Sequence, residues 1–296
     1  MLPDRWISLF IIILALFLLA AIEYAGYYTW IRPIAARLTR AGKLLLMLVI
    51  LTLAGGFIGA FSWWFNIPGA FGWALPPLAG RMLASAGWSF AFVSWMALQH
   101  PTWRRLRLIL WMLAIYLTPL LVLLLVFHLN RLDFTQPITY PFLAVALVLP
   151  GGAIGFLIRQ PVVLPDTPQD LVPASQLSRA WLGLVAAISA AWSLALFFTD
   201  HGPSNGVWAW PGDLLTSRLI AVMLFTIAIA GIYSLARFDT ARIMSGVTLI
   251  YGLGLALASA WNILAGKPVN LLYLVVFGLI ALGSAIVLIN GKSRRV

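Results

Sequence analysis

Nine apolar runs of membrane-spanning length are the feature that most limits what this chain can fold into. About 20 apolar residues cross the hydrocarbon core as a helix, whose backbone N–H and C=O groups bond within the segment. Irregular backbone facing lipid would leave those groups unpaired. The expected spans are 6–28, 43–65, 81–99, 108–128, 138–158, 179–198, 217–236, 242–263 and 270–289. Composition agrees, since 62% of the residues are hydrophobic and 9% charged, too little polarity to cover a water-soluble globule. The expectation is an all-α integral membrane protein with about nine transmembrane helices.

The formal charge of +11 points away from nucleic acid, because the basic residues sit in short links between apolar runs. There they act as topology signals and as contacts to anionic lipid headgroups at the cytoplasmic face. Fourteen of the 19 Lys and Arg residues fall on one side. These are Arg32, Arg37, Arg40 and Lys43, then Arg104, Arg105 and Arg107, then Arg159 and Arg179, then Arg237 and Arg242, and last Lys292, Arg294 and Arg295. Arg5, Arg81, Arg131, Arg218 and Lys267 fall on the other. The positive-inside rule then places the N-terminus outside and the C-terminus in the cytoplasm of a plasma (inner) membrane. The first run reads as a span, not a cleaved leader, because Met1 to Arg5 carries no net positive charge and translocating the next link would invert the whole count. With zero cysteines, disulfides, iron–sulfur clusters and thiolate metal sites are excluded.

The chain also repeats itself. Trp73-Ala-Leu-Pro-Pro-Leu-Ala-Gly-Arg81 opens one span and Trp210-Pro-Gly-Asp-Leu-Leu-Thr-Ser-Arg218 another. Each is followed by a span, a basic turn (103–107 or 237–242), a second span, an outer loop with a proline (Pro137 or Pro268), and a last span carrying Gly151-Gly-Ala-Ile154 or Gly283-Ser-Ala-Ile286. With the preceding span added, each copy has four crossings, an even number, so the copies must be parallel and not inverted. The expected organisation is a leading helix with its basic link over 1–42, a four-helix unit over 43–158, a Pro-rich linker over 159–178 and a second four-helix unit with a basic tail over 179–296.

Small residues recur one turn apart at Gly55 and Gly59, Gly56 and Ala60, Gly151 and Gly155, and Gly254 and Ala258, a spacing that admits a second helix backbone at close range. Most of the 14 tryptophans lie near span ends, as an interfacial belt would, while Trp88, Trp95, Trp111 and Trp192 lie deeper, where packing or lipid contact is their expected use.

Candidate chemistry is sparse. Glu23 is the one acid well inside a predicted span, and a carboxylate in hydrocarbon must be paired, protonated or functional, so it is the proton-carrier candidate. Arg81 and Arg218, at matching positions, form an outer-face arginine pair able to attract an anion or to reach lipid phosphate. His128, His201 and Asp213, with Asp133 and Asp200, could gather at the outer surface, but they share no metal-ligand spacing. Gly202-Pro-Ser204-Asn-Gly206 matches the hydrolase elbow pattern without the strand-to-helix turn that gives the pattern its chemistry. Trp208-Ala-Trp210 before Asp213 resembles the tryptophan-rich outer loops of haem-handling cytochrome c assembly proteins, but their longer Trp-Gly-Trp-Asp signature is absent. No motif specifies a cofactor. The sequence thus leads to a non-catalytic integral subunit or scaffold of a larger membrane assembly, with other membrane subunits as partners. The alternative is a small-molecule or lipid transporter of two pseudo-symmetric halves, proton-coupled through Glu23.

Overall fold

The structure, a computed structural model, describes residues 4–67, 69–71, 73, 75–198, 214–267 and 269–290. Among them nine α-helices run in order: α1 Asp4–Gly26, α2 Arg40–Trp64, α3 Pro77–Gln99, α4 Trp103–Val122, α5 Thr139–Arg159, α6 Gln176–Phe197, α7 Leu214–Ser234, α8 Phe238–Leu264 and α9 Leu271–Asn290. Eight of the nine are long and apolar enough to cross a membrane, which makes the chain a multi-pass, all-helical membrane protein.

Helix boundaries follow local chemistry. Thr39 Oγ1 accepts from the Gly42 N–H at 3.1 Å and Ser175 Oγ from the Ser178 N–H at 3.1 Å, so each satisfies a donor that the first turn of α2 or α6 cannot. Pro77 opens α3, where its missing N–H costs nothing. Pro119 inside α4 removes a ladder bond, and the chain continues from there into a wider π turn over Leu123–Phe127. Gln160 takes a left-handed conformation (φ 45°) that stops α5.

The ninth helix, α3, is of spanning length but less apolar, and much of it is buried among the other helices. Ser85, Ser89 and Ser94 are fully buried, and the first two return their hydroxyls to the carbonyls of Arg81 and Ser85, at 2.9 and 2.8 Å. A helix shielded from lipid by protein needs less apolar surface than one that faces it.

Consecutive helices pair as α2–α3, α4–α5, α6–α7 and α8–α9, and α3 packs against α8 while α4 packs against α7. The most apolar windows of α7 and α8 are accordingly 78% and 72% buried, whereas the leading helix is 6% buried and touches mainly α2. Glycine lets these backbones meet. A Cβ on Gly56 would stand 2.7 Å from the Gly87 carbonyl oxygen of α3, and one on Gly252 would stand 2.8 Å from the Phe277 carbonyl of α9. One on Gly254 would overlap the Ser85 hydroxyl. Of the deeper tryptophans, Trp88 stacks on Trp64 at 5.0 Å and Trp192 packs on Tyr273 at 5.1 Å. Trp95 and Trp111 are exposed on the bundle surface, where lipid is their neighbour.

Candidate functional site

Polar chemistry is concentrated at the two ends of the bundle. At the basic end, Arg105 on the first turn of α4 forks onto Asp239 on the first turn of α8, with Nε and Nη2 each 2.7 Å from a carboxylate oxygen. Its Nη2 also reaches Asp170 at 3.5 Å, and its Nη1 the Met96 carbonyl at 3.4 Å. A planar guanidinium holds one carboxylate at two points, which fixes angle as well as distance. Asp170 is 2% exposed and comes from the Pro-rich stretch between α5 and α6. Burial opposes its ionisation. The Thr167 N–H and hydroxyl, donating at 2.7 and 2.8 Å, and the charges of Arg105 and His100 outweigh that and hold the carboxyl below its ordinary range.

The same stretch is strapped to the helices on both sides. The Phe238 N–H donates to the Val172 carbonyl at 2.8 Å, Arg237 Nη1 to the Leu171 carbonyl at 2.6 Å, and Arg104 pairs with Asp166 at 3.1 Å. A proline-rich segment is cheap to hold this way, because less backbone freedom is lost when it is fixed.

At the opposite end, the arginine pair singled out in the sequence is placed in matching surroundings. Arg81, one turn into α3, donates through Nη1 to Asn262 Oδ1 at 3.3 Å near the end of α8, and its guanidinium lies 4.8 Å from the Trp261 ring. Arg218, one turn into α7, has Nη1 3.4 Å from His128 Nε2, just past the end of α4, with the Phe127 and Phe197 rings at 5.9 and 5.7 Å. Arginine has no acceptor, so in this contact His128 Nε2 can only be the acceptor. Each arginine thus ties the helix that carries it to the far end of the helix packed beside it.

His128 therefore serves Arg218. His201 and Asp213 lie outside the described residues, and no group of three metal-ligating side chains occurs among those described. Glu23 lies on α1, half-buried, with Oε2 shielded from solvent and without a hydrogen-bond partner among the described residues. Sequence reasoning missed Asp239, Asp170 and Asn262. A signal was present for the acids, because the chain has only eight Asp and Glu and Asp239 stands inside the basic turn 237–242, while Asp170 sits in the Pro-rich stretch. Nothing local marks Asn262. No protein-family model, no curated protein and no solved structure matches this chain.

Proposed function

We propose that the chain is a non-catalytic integral subunit or scaffold of a larger membrane assembly. It crosses a plasma membrane nine times, as a leading helix followed by two like-oriented four-helix units, with its N-terminus outside and its C-terminus in the cytoplasm. The helix pairing supports the two units, for α2 to α5 and α6 to α9 pair alike and the third helix of each lies against the second helix of the other. One observation carries the subunit reading: the line between the units is tied at both ends, by Arg105 on Asp239 and by Arg81 on Asn262. Between these ties it is closed by Ser85 against Gly254 and Phe92 against Gly246. A transporter that alternates between two openings needs a loose, polar seam at that place. The closed seam suits a rigid body that presents helix faces to neighbours. Purification from native membranes in mild detergent is expected to recover other chains at fixed stoichiometry, and recovery of a lone monomer would oppose the reading.

The transporter alternative keeps one observation in its favour, the half-buried Glu23 with an unpartnered oxygen inside a span. On that reading Glu23→Gln abolishes proton-dependent uptake while leaving the thermal unfolding midpoint unchanged, and an unaltered uptake rate sinks it.

A further inference from the structure

The two four-helix units differ in one respect that their shared pairing exposes. Leu48 of α2 lies against Gly152 of α5, where a Cβ would stand 3.0 Å from the leucine Cδ1. In the second unit Trp181 of α6 occupies the equivalent place, donating from Nε1 to Ser284 Oγ of α9 at 3.0 Å. These pairs set the correspondence at 133 residues between α2 and α6 and 132 between α5 and α9. A second seam agrees: a Cβ on Gly80 would approach the Trp63 carbonyl at 3.1 Å, and Ser217 Oγ donates to the Leu196 carbonyl, 133 residues beyond Trp63.

By that correspondence Trp192, Tyr273 and Phe277 are the counterparts of Gly59, Pro141 and Val145. In the second unit the three aromatics fill the space between α6 and α9. Trp192 Nε1 donates to the Tyr273 hydroxyl at 3.1 Å, its ring is 6.0 Å from Phe277, and Tyr273 is fully buried. In the first unit a glycine, a proline and a valine stand there, and a cavity of about 300 Å³ lies between α1, α2, α3, α4 and α5, lined by Gly55, Gly59, Pro141, Val145, Leu149 and Trp73 among others. Its walls offer little polarity, since the hydroxyls of Thr52 and Ser62 are spent on the carbonyls of Leu48 and Ile58, at 2.8 and 3.1 Å. Leu16 and Val145 line it and are also exposed, so it opens on the lipid-facing side of the bundle. It follows α2 from Leu51 to Trp63, about 18 Å of helix rise. At the loop end Trp73 lines it.

We infer that the first unit seats one acyl chain of a membrane glycerophospholipid in this cavity. A hydrocarbon chain in an apolar cavity beside lipid makes dispersion contact with its walls. The cavity's length along α2 and its apolar lining suit one extended acyl chain entering from the lipid-facing side. The inference rests on the two-unit pairing and not on subunit assembly.

The test uses the full chain in nanodiscs containing phosphatidylglycerol with a diazirine midway along one acyl chain. Photolabelling of peptides 51–63 and 141–149 is expected to exceed that of their counterparts 184–196 and 273–281 several-fold. Val145→Phe, which copies the second unit, is expected to bring the two units level, and Gly59→Trp does the same should the first variant fold poorly; unchanged thermal unfolding certifies either. Equal labelling of the two units in the unaltered protein overturns the inference, as does full labelling of a folded, plugged variant. Co-purification with other chains is a separate readout, so failure of one reading is distinguishable from failure of the other.

Discussion

Arg105 shows how much one side chain can hold in a chain so poor in charge. It is 14% exposed, as is the Asp239 it forks onto, and truncating one member of such a pair strands the other. Arg105→Ala is therefore expected to cost about 2–5 kcal/mol, measured by thermal or denaturant unfolding in detergent. A double-mutant cycle with Asp239→Ala is expected to show strong non-additivity. Acidification probes the same cluster through Asp170, whose folded carboxyl lies below its ordinary 3.8. A depressed folded value means that its contribution is complete above the unfolded pKa and is lost as pH falls through the folded one. The unfolding midpoint should thus decline below about pH 4, and Asp170→Asn should flatten that part of the profile. Equal slopes in the two proteins would contradict the assignment.

At the scale of the helix, identical sequence patterns take opposite roles. Gly56 and Gly151 both belong to small-residue repeats, yet a Cβ on Gly56 meets the Gly87 carbonyl at 2.7 Å, whereas one on Gly151 meets nothing within 4 Å. A backbone oxygen in a paired helix cannot step aside as a side-chain tip can. Gly56→Val is expected to destabilise by about 1–3 kcal/mol through overpacking. Gly151→Ala is expected to be neutral or to stabilise by about 0.5–1 kcal/mol, because alanine loses less backbone entropy in a helix. Unfolding midpoints of the two variants, compared side by side, decide it. The helices themselves were legible from apolar run length, with ends displaced by a few residues wherever a cap or proline intervened, as at Thr39 and Pro77. The partner of each helix was not, because a glycine on a packed face and one on an open face are the same letter.

For the molecule as a whole, the expected orientation is testable because the native chain has no cysteine, so any single cysteine introduced is the only one. In spheroplasts a membrane-impermeant maleimide is expected to label Arg131→Cys directly and Gln160→Cys only after permeabilisation. The reverse pattern would turn the protein over. The pair Arg81 and Arg218 was visible as two matching corners, but its partners were not. Arg81 and Asn262 are 181 positions apart, and only the packing of α3 on α8 brings them to 3.3 Å. The sequence by itself determined the class: apolar runs in a nearly charge-free chain must become lipid-crossing helices, because no other backbone satisfies its own hydrogen bonds in hydrocarbon. Tertiary structure alone decided which faces closed, which carboxylates received Arg105, and why Trp192 fills the space between α6 and α9 while a cavity remains beside α2 and α5. Those outcomes depend on side-chain volume and distance between segments far apart in the chain, and no local pattern encodes them.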